Sequence, residues 1–341
     1  MKYKPLSDAH SLSMRSNYLK NKYCPNELIS SKNFVEQIKT AYYKYDAPLY
    51  QPGYNQSLKT QFDSFFHNLR EDKIIVDIGA GTGDSYWLVK NSSYSFSKYY
   101  FIKPFKSMID KFEDKDNSKV VIVNDYFESA KCTEMIRKEK KPIIFIMCAV
   151  LRTIDNIDEF IDILKMNLKY GDQIFLPVEP NNEYFGKYYK YLTTIIKPLI
   201  ISRLVLKKAK DLIIRNYSSA KNSEKIDEKS PLVNALDHLK KTRIVNDEFT
   251  VTMLYAIVYY NNYFCWISID IPDKDNEGFF TIDQIAERLE CEINNYNTRT
   301  YLYGISFGLP KLDSFVENIL KKVFPKKGST FTASMTRVRP K

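Results

Sequence analysis

The stretch Lys73-Ile-Ile-Val-Asp-Ile-Gly-Ala-Gly-Thr-Gly-Asp84 decides the fold of this chain. Its apolar run has acids shortly before it and glycines after it, which predicts a buried strand. Asp77 lies at the carboxyl end of this strand, and glycines at every second position turn the backbone into a helix predicted to begin near Asp84. Because a helix start offers unpaired N–H groups and a positive dipole end, the loop is predicted to bind a polar, nucleoside-like ligand.

Strand-like and helix-like segments alternate after this loop. Further strands are predicted at Tyr99–Phe105, Val120–Asp125, Pro142–Cys148 and Tyr170–Val178. This alternation predicts a parallel α/β sheet with helices on both faces. Ligands of such sheets bind beyond the carboxyl ends of the strands. We therefore expect one crevice surrounded by the residues at those ends, which are Asp77, Lys103, Asp125, Cys148 and Glu179.

From about Lys73 to Glu179 the chain resembles the class I S-adenosylmethionine-dependent methyltransferases. The pattern Asp77-x-Gly79-x-Gly81-x-Gly83 matches the first motif of that family, whose loop contacts the amino acid part of the cofactor. Asn124-Asp125-Tyr126 is similar to the segment in which an acid accepts a hydrogen bond from the adenine amino group. Cys148–Asn156 and Leu168–Asp172 resemble the segments after the fourth strand and before the fifth.

This resemblance implies a Rossmann-like methyltransferase fold with a mostly parallel seven-stranded sheet, helices on both faces and a helical insertion. It also implies S-adenosyl-L-methionine as cofactor. The residues expected to bind the cofactor are Asp77, Gly79, Ala80, Gly81, Gly83, Lys103, Pro104, Asp125, Tyr126 and Cys148.

Lys103 departs from the family pattern, which usually has an acid at the end of the second strand to hold both ribose hydroxyls. A lysine has only donors and cannot accept hydrogen bonds from those hydroxyls. The ribose is then held in another way, the alignment is shifted by a residue or two, or cofactor binding is weak.

Composition indicates a reduced protein inside the cell. The chain has 341 residues, 44% of them hydrophobic, and no apolar run of membrane-spanning length or secretory signal core. Its five cysteines are scattered without a Cys-x-x-Cys pair, and its three histidines are dispersed. We therefore expect a cytoplasmic protein without a metal site.

The net charge of +10 is uneven along the sequence. Basic residues outnumber acidic ones between Arg203 and Arg243, and no acid follows Glu317. A solvated surface accounts for this pattern, and so does a contact with nucleic acid, anionic lipid or an acidic substrate.

The chain is predicted to have four parts. Residues 1–69 form an N-terminal arm and helical cap, in which 1–30 are irregular and helices cover 32–47 and Gln56–Leu69. Residues 70–181 form the cofactor-binding core, and 182–248 form a basic helical insertion. Residues 249–341 end the sheet: Phe249–Ile271 returns to it, Thr298–Phe307 is the final strand, Leu312–Phe324 is a helix, and the basic tail after Pro325 is loose.

The insertion has three interpretations. It is a lid over the methyl acceptor, a membrane-surface or partner helix through residues 195–214, or a nucleic acid contact.

The catalytic residues are not identified by the sequence. His67 is a base only in principle, because its apolar neighbours favour a packed or solvent-facing residue. Cys148 and Glu179 lie nearer the predicted crevice, but a cysteine at a strand end is more often small core filler than a nucleophile.

The sequence favours methyl transfer to an oxygen or nitrogen of a small molecule. RNA methylation is the alternative that the positive charge supports, although no RNA-binding module is evident. A non-catalytic partner protein with the same fold is the third hypothesis.

Overall fold

The computed structural model describes residues 9–46, 56–154, 156–180, 230–258, 281–299, 310–324 and 330–339. The chain divides into two compact units. The first consists of residues 1–180, 230–296 and 331–341 and contains the glycine loop. The second consists of residues 181–229 and 297–330, and its described part is mainly one helix. Most of the predicted insertion, including residues 195–214, lies outside the described residues, so the predicted four-part division stays a prediction.

The central element is a seven-stranded sheet in the order β3-β2-β1-β4-β5-β7-β6. Its strands are β1 Lys73–Ile78, β2 Phe96–Ile102, β3 Val120–Val123, β4 Ile143–Ile146, β5 Gln173–Pro180, β6 Cys291–Arg299 and β7 Thr330–Arg337. Strands β1 to β5 pair in parallel. Strand β7 runs antiparallel to β5, because Arg337 at its carboxyl end exchanges backbone hydrogen bonds with Gly171 and Asp172 at the start of β5. The sheet is therefore mixed, with its parallel part where the sequence predicted it.

The helices are α1 Ala9–Tyr23, α2 Ser31–Asp46, α3 Gln56–Phe66, α4 Asp84–Asn91, α5 Lys106–Ile109, α6 Ala130–Arg137, α7 Ile157–Asn167, α8 Pro231–Lys241, α9 Val251–Val258, α10 Ile282–Leu289 and α11 Pro310–Val323. The predicted helices α2, α3, α4 and α11 are confirmed. Helix α10 begins with a capping box: the Thr281 side chain accepts from the Gln284 N–H, and Gln284 reaches back to the Thr281 N–H.

Strand β1 is buried on both faces because its side chains alternate between them. Ile74, Val76 and Ile78 pack into a cluster with α6, α7, α10 and β7. Ile75 points the other way, into a second cluster with α3 and α4. Helices on both faces of the sheet are thereby confirmed, and the glycine loop follows the most central parallel strand.

A third apolar cluster joins α1, α2, α8 and α9. Leu19 and Tyr23 of α1 are buried there beside Phe34 and Ile38 of α2. The prediction that residues 1–30 are irregular is therefore wrong for Ala9–Tyr23. The sequence of α1 is polar and only weakly amphipathic, and its helix is stabilised by packing against residues distant in the chain.

Two predictions for the C-terminal third are also wrong. The prediction that Phe249–Ile271 returns to the sheet is wrong for residues 251–258, which form helix α9 with Leu254, Ile257 and Val258 buried in the third cluster. Residues 259–271 lie outside the described residues. The basic tail contains β7, whose Phe331, Ala333 and Met335 are buried in the core. The strand predicted at Thr298–Phe307 begins earlier, at Cys291, and residues 300–309 lie outside the described residues.

Candidate cofactor site

The glycine loop leaves β1 with three residues in the left-handed region. The φ angles are 71° for Gly79, 61° for Gly81 and 108° for Gly83. Residues with a Cβ rarely adopt these angles, which explains the alternating glycines. The backbone N–H groups of Gly79 and Ala80 both donate to the carbonyl of Ile102 at the end of β2. The loop is thereby fixed between the ends of two adjacent strands.

The three glycines differ in what surrounds them. A Cβ at Gly79 would lie 2.7 Å from Val150 Cγ2, and one at Gly83 would lie 2.6 Å from Phe112 Cδ2. A Cβ at Gly81 would meet no atom within 4 Å. Gly79 and Gly83 are therefore required by packing, whereas Gly81 borders open space that a ligand can occupy.

Asp77 is buried beside the loop, with 1% of its surface exposed. Its Oδ2 accepts a hydrogen bond of 2.7 Å from the Tyr99 hydroxyl. Its Oδ1 has no hydrogen-bond partner among the described residues, and neither does the buried Oγ1 of Thr82. Burial raises the pKa of Asp77 to about 7, although Tyr99 and the charge of Lys103 act in the opposite direction. Two buried polar atoms near the loop thus lack a protein partner.

Lys103 follows β2 directly and is buried, with 8% of its surface exposed. Its Nζ lies 4.5 Å from the ring centre of Tyr43 on α2 and 5.4 Å from that of Phe105. Burial and, to a lesser degree, the nearby charge of Lys39 lower the pKa of Lys103 to about 8, although Asp77 and Asp46 act to raise it. Helix α2 thus covers the end of β2 and brings charged residues to it.

The loop after β3 holds the segment predicted to bind adenine. Asn124 Nδ2 donates to the carbonyls of Lys103 and Pro104, at 3.1 and 2.9 Å, which ties this loop to the end of β2. Asp125 is partly exposed, and one of its oxygens accepts from the N–H of Tyr126. The Tyr126 ring is 39% exposed and lies 6.4 Å from the ring of Phe105. Lys103, Pro104, Asp125 and Tyr126 therefore lie together.

The segment after β4 is held by a residue of β5. Glu179 is fully buried, and its Oε1 accepts hydrogen bonds from the N–H groups of Val150 and Leu151 at 2.8 and 3.3 Å. Ala149 in this segment has a φ of 56°. Cys148 is partly buried. Burial is the main cause that raises the pKa of Tyr99, followed by Asp77, and Cys148 is near enough to act in the same direction. Glu179 thus fixes the segment that includes Cys148 and packs Val150 against Gly79.

The structure places other candidates differently. His67 is exposed, in the turn after α3 and shortly before β1 begins, so it is remote from the carboxyl ends of the strands. Tyr45 on α2 packs against His238. Tyr50 and Tyr54 lie outside the described residues. A groove of about 390 Å³ lies between α2 and α8, but its lining includes none of the predicted cofactor residues.

Sequence reasoning missed the contributions of Tyr99, Thr82 and helix α2. Tyr99 and Phe101 are two residues apart on β2, so a period of two predicts that both side chains lie on the same face of the sheet as Asp77. In the sequence of α2, the role of this helix is indicated by Lys39, a charged residue on an otherwise apolar helix face. Its Nζ donates to the Thr153 carbonyl at 3.0 Å.

Two kinds of feature are absent from the described residues. No group of three or more His, Cys, Asp or Glu side chains there can hold a metal ion. None of the helices in that part of the chain is long and apolar enough to cross a membrane.

Comparison of the fold returns S-adenosylmethionine-dependent methyltransferases. The chain is similar in fold to class I methyltransferases. The plantazolicin methyltransferase BpumL in complex with SAH is 12% identical, over 97% of each chain, with a TM-score of 0.38. A proposed S-adenosylmethionine-dependent methyltransferase from Listeria monocytogenes is 11% identical, over 82% of this chain and 99% of the other, with a TM-score of 0.40.

A third structure is a complex between the Haloferax volcanii Trm112 methyltransferase activator and a proposed methyltransferase. It is 9% identical, over 98% of this chain and 99% of the other, with a TM-score of 0.41. No family model and no curated protein matches the sequence. At these identities none of the similar structures identifies a substrate or partner of this chain.

Proposed function

We propose that this protein is an S-adenosylmethionine-dependent methyltransferase that moves a methyl group to an oxygen or nitrogen of a small molecule. The observation that carries the proposal is the glycine loop after the central parallel strand. There, Asp77 Oδ1 and Thr82 Oγ1 are buried without hydrogen-bond partners in the part of the chain that the structure describes, and Gly81 borders open space. Unpaired buried polar atoms are costly, so they are typical of a site completed by a ligand.

The residues around the loop fit the chemistry of the cofactor. Asp77 Oδ1 can accept from an ammonium group, and Thr82 Oγ1 can donate to a carboxylate, which suits the amino acid end of S-adenosylmethionine. Asp125 can accept from an adenine amino group, and Tyr126 offers an exposed ring beside it. These residues would hold the two ends of the cofactor, with Gly81 between them.

The cofactor supplies an electrophilic methyl group on a sulfonium, so the protein mainly has to hold a nucleophile in line with it. Glu179 supports this task by fixing the segment after β4 through Val150 and Leu151. A base for the acceptor remains unassigned. Of the two crevice candidates named from the sequence, Cys148 and Glu179, the second already accepts hydrogen bonds from the N–H groups of Val150 and Leu151.

The first experiment is calorimetric titration of the whole chain with S-adenosylmethionine and with S-adenosylhomocysteine. We expect saturable binding, and absence of binding at millimolar ligand would reject every catalytic hypothesis in favour of a non-catalytic partner protein. Gly81→Val should abolish binding, since the side chain enters the open space beside the loop.

Gly171→Val is the matched control for this variant. Gly171 also has a positive φ, of 88°, and a Cβ there would also meet no atom within 4 Å. Both variants therefore carry similar backbone strain, but Gly171 lies in the turn before β5, near β7. Binding lost in both variants to the same degree would show that the loop is not the site.

The second experiment identifies the acceptor class. The protein is incubated with methyl-labelled cofactor and either a small-molecule extract or total RNA, and the labelled product is fractionated by size. We expect label in small molecules. Label in RNA, with an affinity that falls steeply with salt concentration, would favour the RNA alternative.

A further inference from the structure

Lys103 has an unusual environment for a buried lysine. Within the described part of the chain its Nζ donates no hydrogen bond and has no ion-pair partner within 4.0 Å. It lies over the rings of Tyr43 and Phe105, at 4.5 and 5.4 Å from their centres. An ammonium group has three donors, and burying them without acceptors is unfavourable. The aromatic rings offset only part of that cost.

A second buried lysine shows that the fold can satisfy such a group. Lys39 is 6% exposed, close to the 8% of Lys103, and its Nζ donates to the Thr153 carbonyl at 3.0 Å. The carboxylates of Asp77 and Asp46 are near enough to Lys103 to influence its pKa, yet neither forms an ion pair with it. The donors of Lys103 are therefore held near negative charge but are left without a bond.

Lys103 is also adjacent to the glycine loop. The preceding residue, Ile102, accepts hydrogen bonds from the N–H groups of Gly79 and Ala80. Nucleosides bound to sheets of this kind place the ribose at the end of the second strand. The ammonium group of Lys103 thus follows the second strand, next to the position that the ribose of a bound nucleoside would occupy.

We propose that Lys103 Nζ is a specificity-determining donor that gives a hydrogen bond to a ribose hydroxyl oxygen of the bound adenosyl group. A hydroxyl oxygen accepts as well as donates, so a lysine can hold it with the bond direction reversed from that of an acid. This inference rests on the proposed function. It gives Lys103, which stands where the family usually has an acid, a role in binding.

The test is a set of calorimetric titrations with S-adenosylhomocysteine and its 2′-deoxy and 3′-deoxy forms. The proteins are wild type, Lys103→Met and the control Lys119→Met. Lys119 Nζ also lies over a ring, that of Phe96 at 5.7 Å, but it is exposed and precedes β3. Wild type and Lys119→Met should lose about tenfold in affinity when the bonded hydroxyl is removed, as expected for a charge-assisted hydrogen bond. Lys103→Met should bind the parent ligand about tenfold more weakly and be insensitive to that removal.

Thermal unfolding without ligand separates binding from a structural role. Because Lys103 has no hydrogen-bond acceptor in the described protein, its replacement by methionine should leave the melting temperature unchanged or raise it. A marked fall in melting temperature would assign Lys103 a structural role and overturn the inference.

The remaining outcomes are distinguishable. If wild type binds and neither deoxy form is weaker, the inference is wrong, and this result needs no variant. If Lys103→Met binds like wild type, the inference is also wrong while the proposed function stands. If wild type binds no adenosyl ligand, the proposed function and the inference fall together.

Discussion

Strands β1 and β7 are both buried in the same core, but they differ in how clearly the sequence predicts them. Strand β1 is a continuous apolar run followed by glycines, and it was predicted correctly. Strand β7 reads Thr-Phe-Thr-Ala-Ser-Met-Thr-Arg within a basic segment, which we expected to be loose. Its Phe331, Ala333 and Met335 are nonetheless nearly inaccessible to solvent. The comparison teaches that an antiparallel strand such as β7 needs only one apolar face, whereas a central parallel strand needs two.

The largest effect is expected from Phe331→Ala in β7. If this strand belongs to the core as β1 does, the substitution should lower the free energy of unfolding by about 3–5 kcal/mol. Denaturant titration measures it. The control is Phe315→Ala on α11, which is 61% exposed and should change stability by less than about 0.5 kcal/mol. Equally small stability changes for the two substitutions would show that β7 does not belong to the core.

Gly79→Ala tests the end of β1. The new Cβ collides with Val150 and is placed at a positive φ, so stability should fall by about 2–4 kcal/mol. Gly81→Ala has the same backbone problem without the collision and should cost about 1–2 kcal/mol. Denaturant titration of both variants measures the difference. Equal losses of stability would show that the Val150 side chain moves away from the new Cβ at little cost.

Asp77→Asn should change how stability depends on pH. Burial raises the pKa of Asp77 to about 7 in the folded chain, above its usual value of 3.8, so the folded state binds this proton more tightly than the unfolded state. Its contribution to stability is therefore favourable at low pH and is lost as pH rises from about 4 to 7. At pH 8 the variant should be more stable than wild type by about 1–3 kcal/mol, and at pH 4 this advantage should disappear.

Thermal unfolding of both proteins across that pH range measures the difference. An Asp77→Asn variant that is less stable than wild type at pH 8 would show that the carboxylate is satisfied in the folded protein. The variant should also bind the cofactor more weakly, since Asn is a poorer partner for an ammonium group than a carboxylate.

The smallest effect is expected from Asn294→Ala at the edge of the sheet. Its Nδ2 donates to Thr336 Oγ1 on β7 at 2.7 Å, and the residue is exposed. Water replaces such a bond readily, so the loss should be about 0.5–1 kcal/mol. Chemical unfolding of Asn294→Ala beside Thr336→Ala checks this value. A loss comparable with that of Phe331→Ala would mean that β7 is held by its polar contacts rather than by its apolar face.

The sequence by itself determined the parallel half of the sheet and the glycine loop. These features depend on neighbouring residues: apolar runs form strands, and alternate glycines permit positive φ angles. The positions of Asp77, Lys103 and Asp125 followed from strand ends, because parallel strands bring their carboxyl ends together.

Only the tertiary structure decided what surrounds those residues. The Tyr99 hydroxyl bonded to Asp77, the Tyr43 ring under Lys103 and the hydrogen bonds of Glu179 to the segment after β4 all join residues from different elements. Helix α1 and strand β7 likewise exist through burial against distant parts of the chain. Local sequence fixes backbone preferences over a few residues, whereas burial and pairing depend on which elements meet.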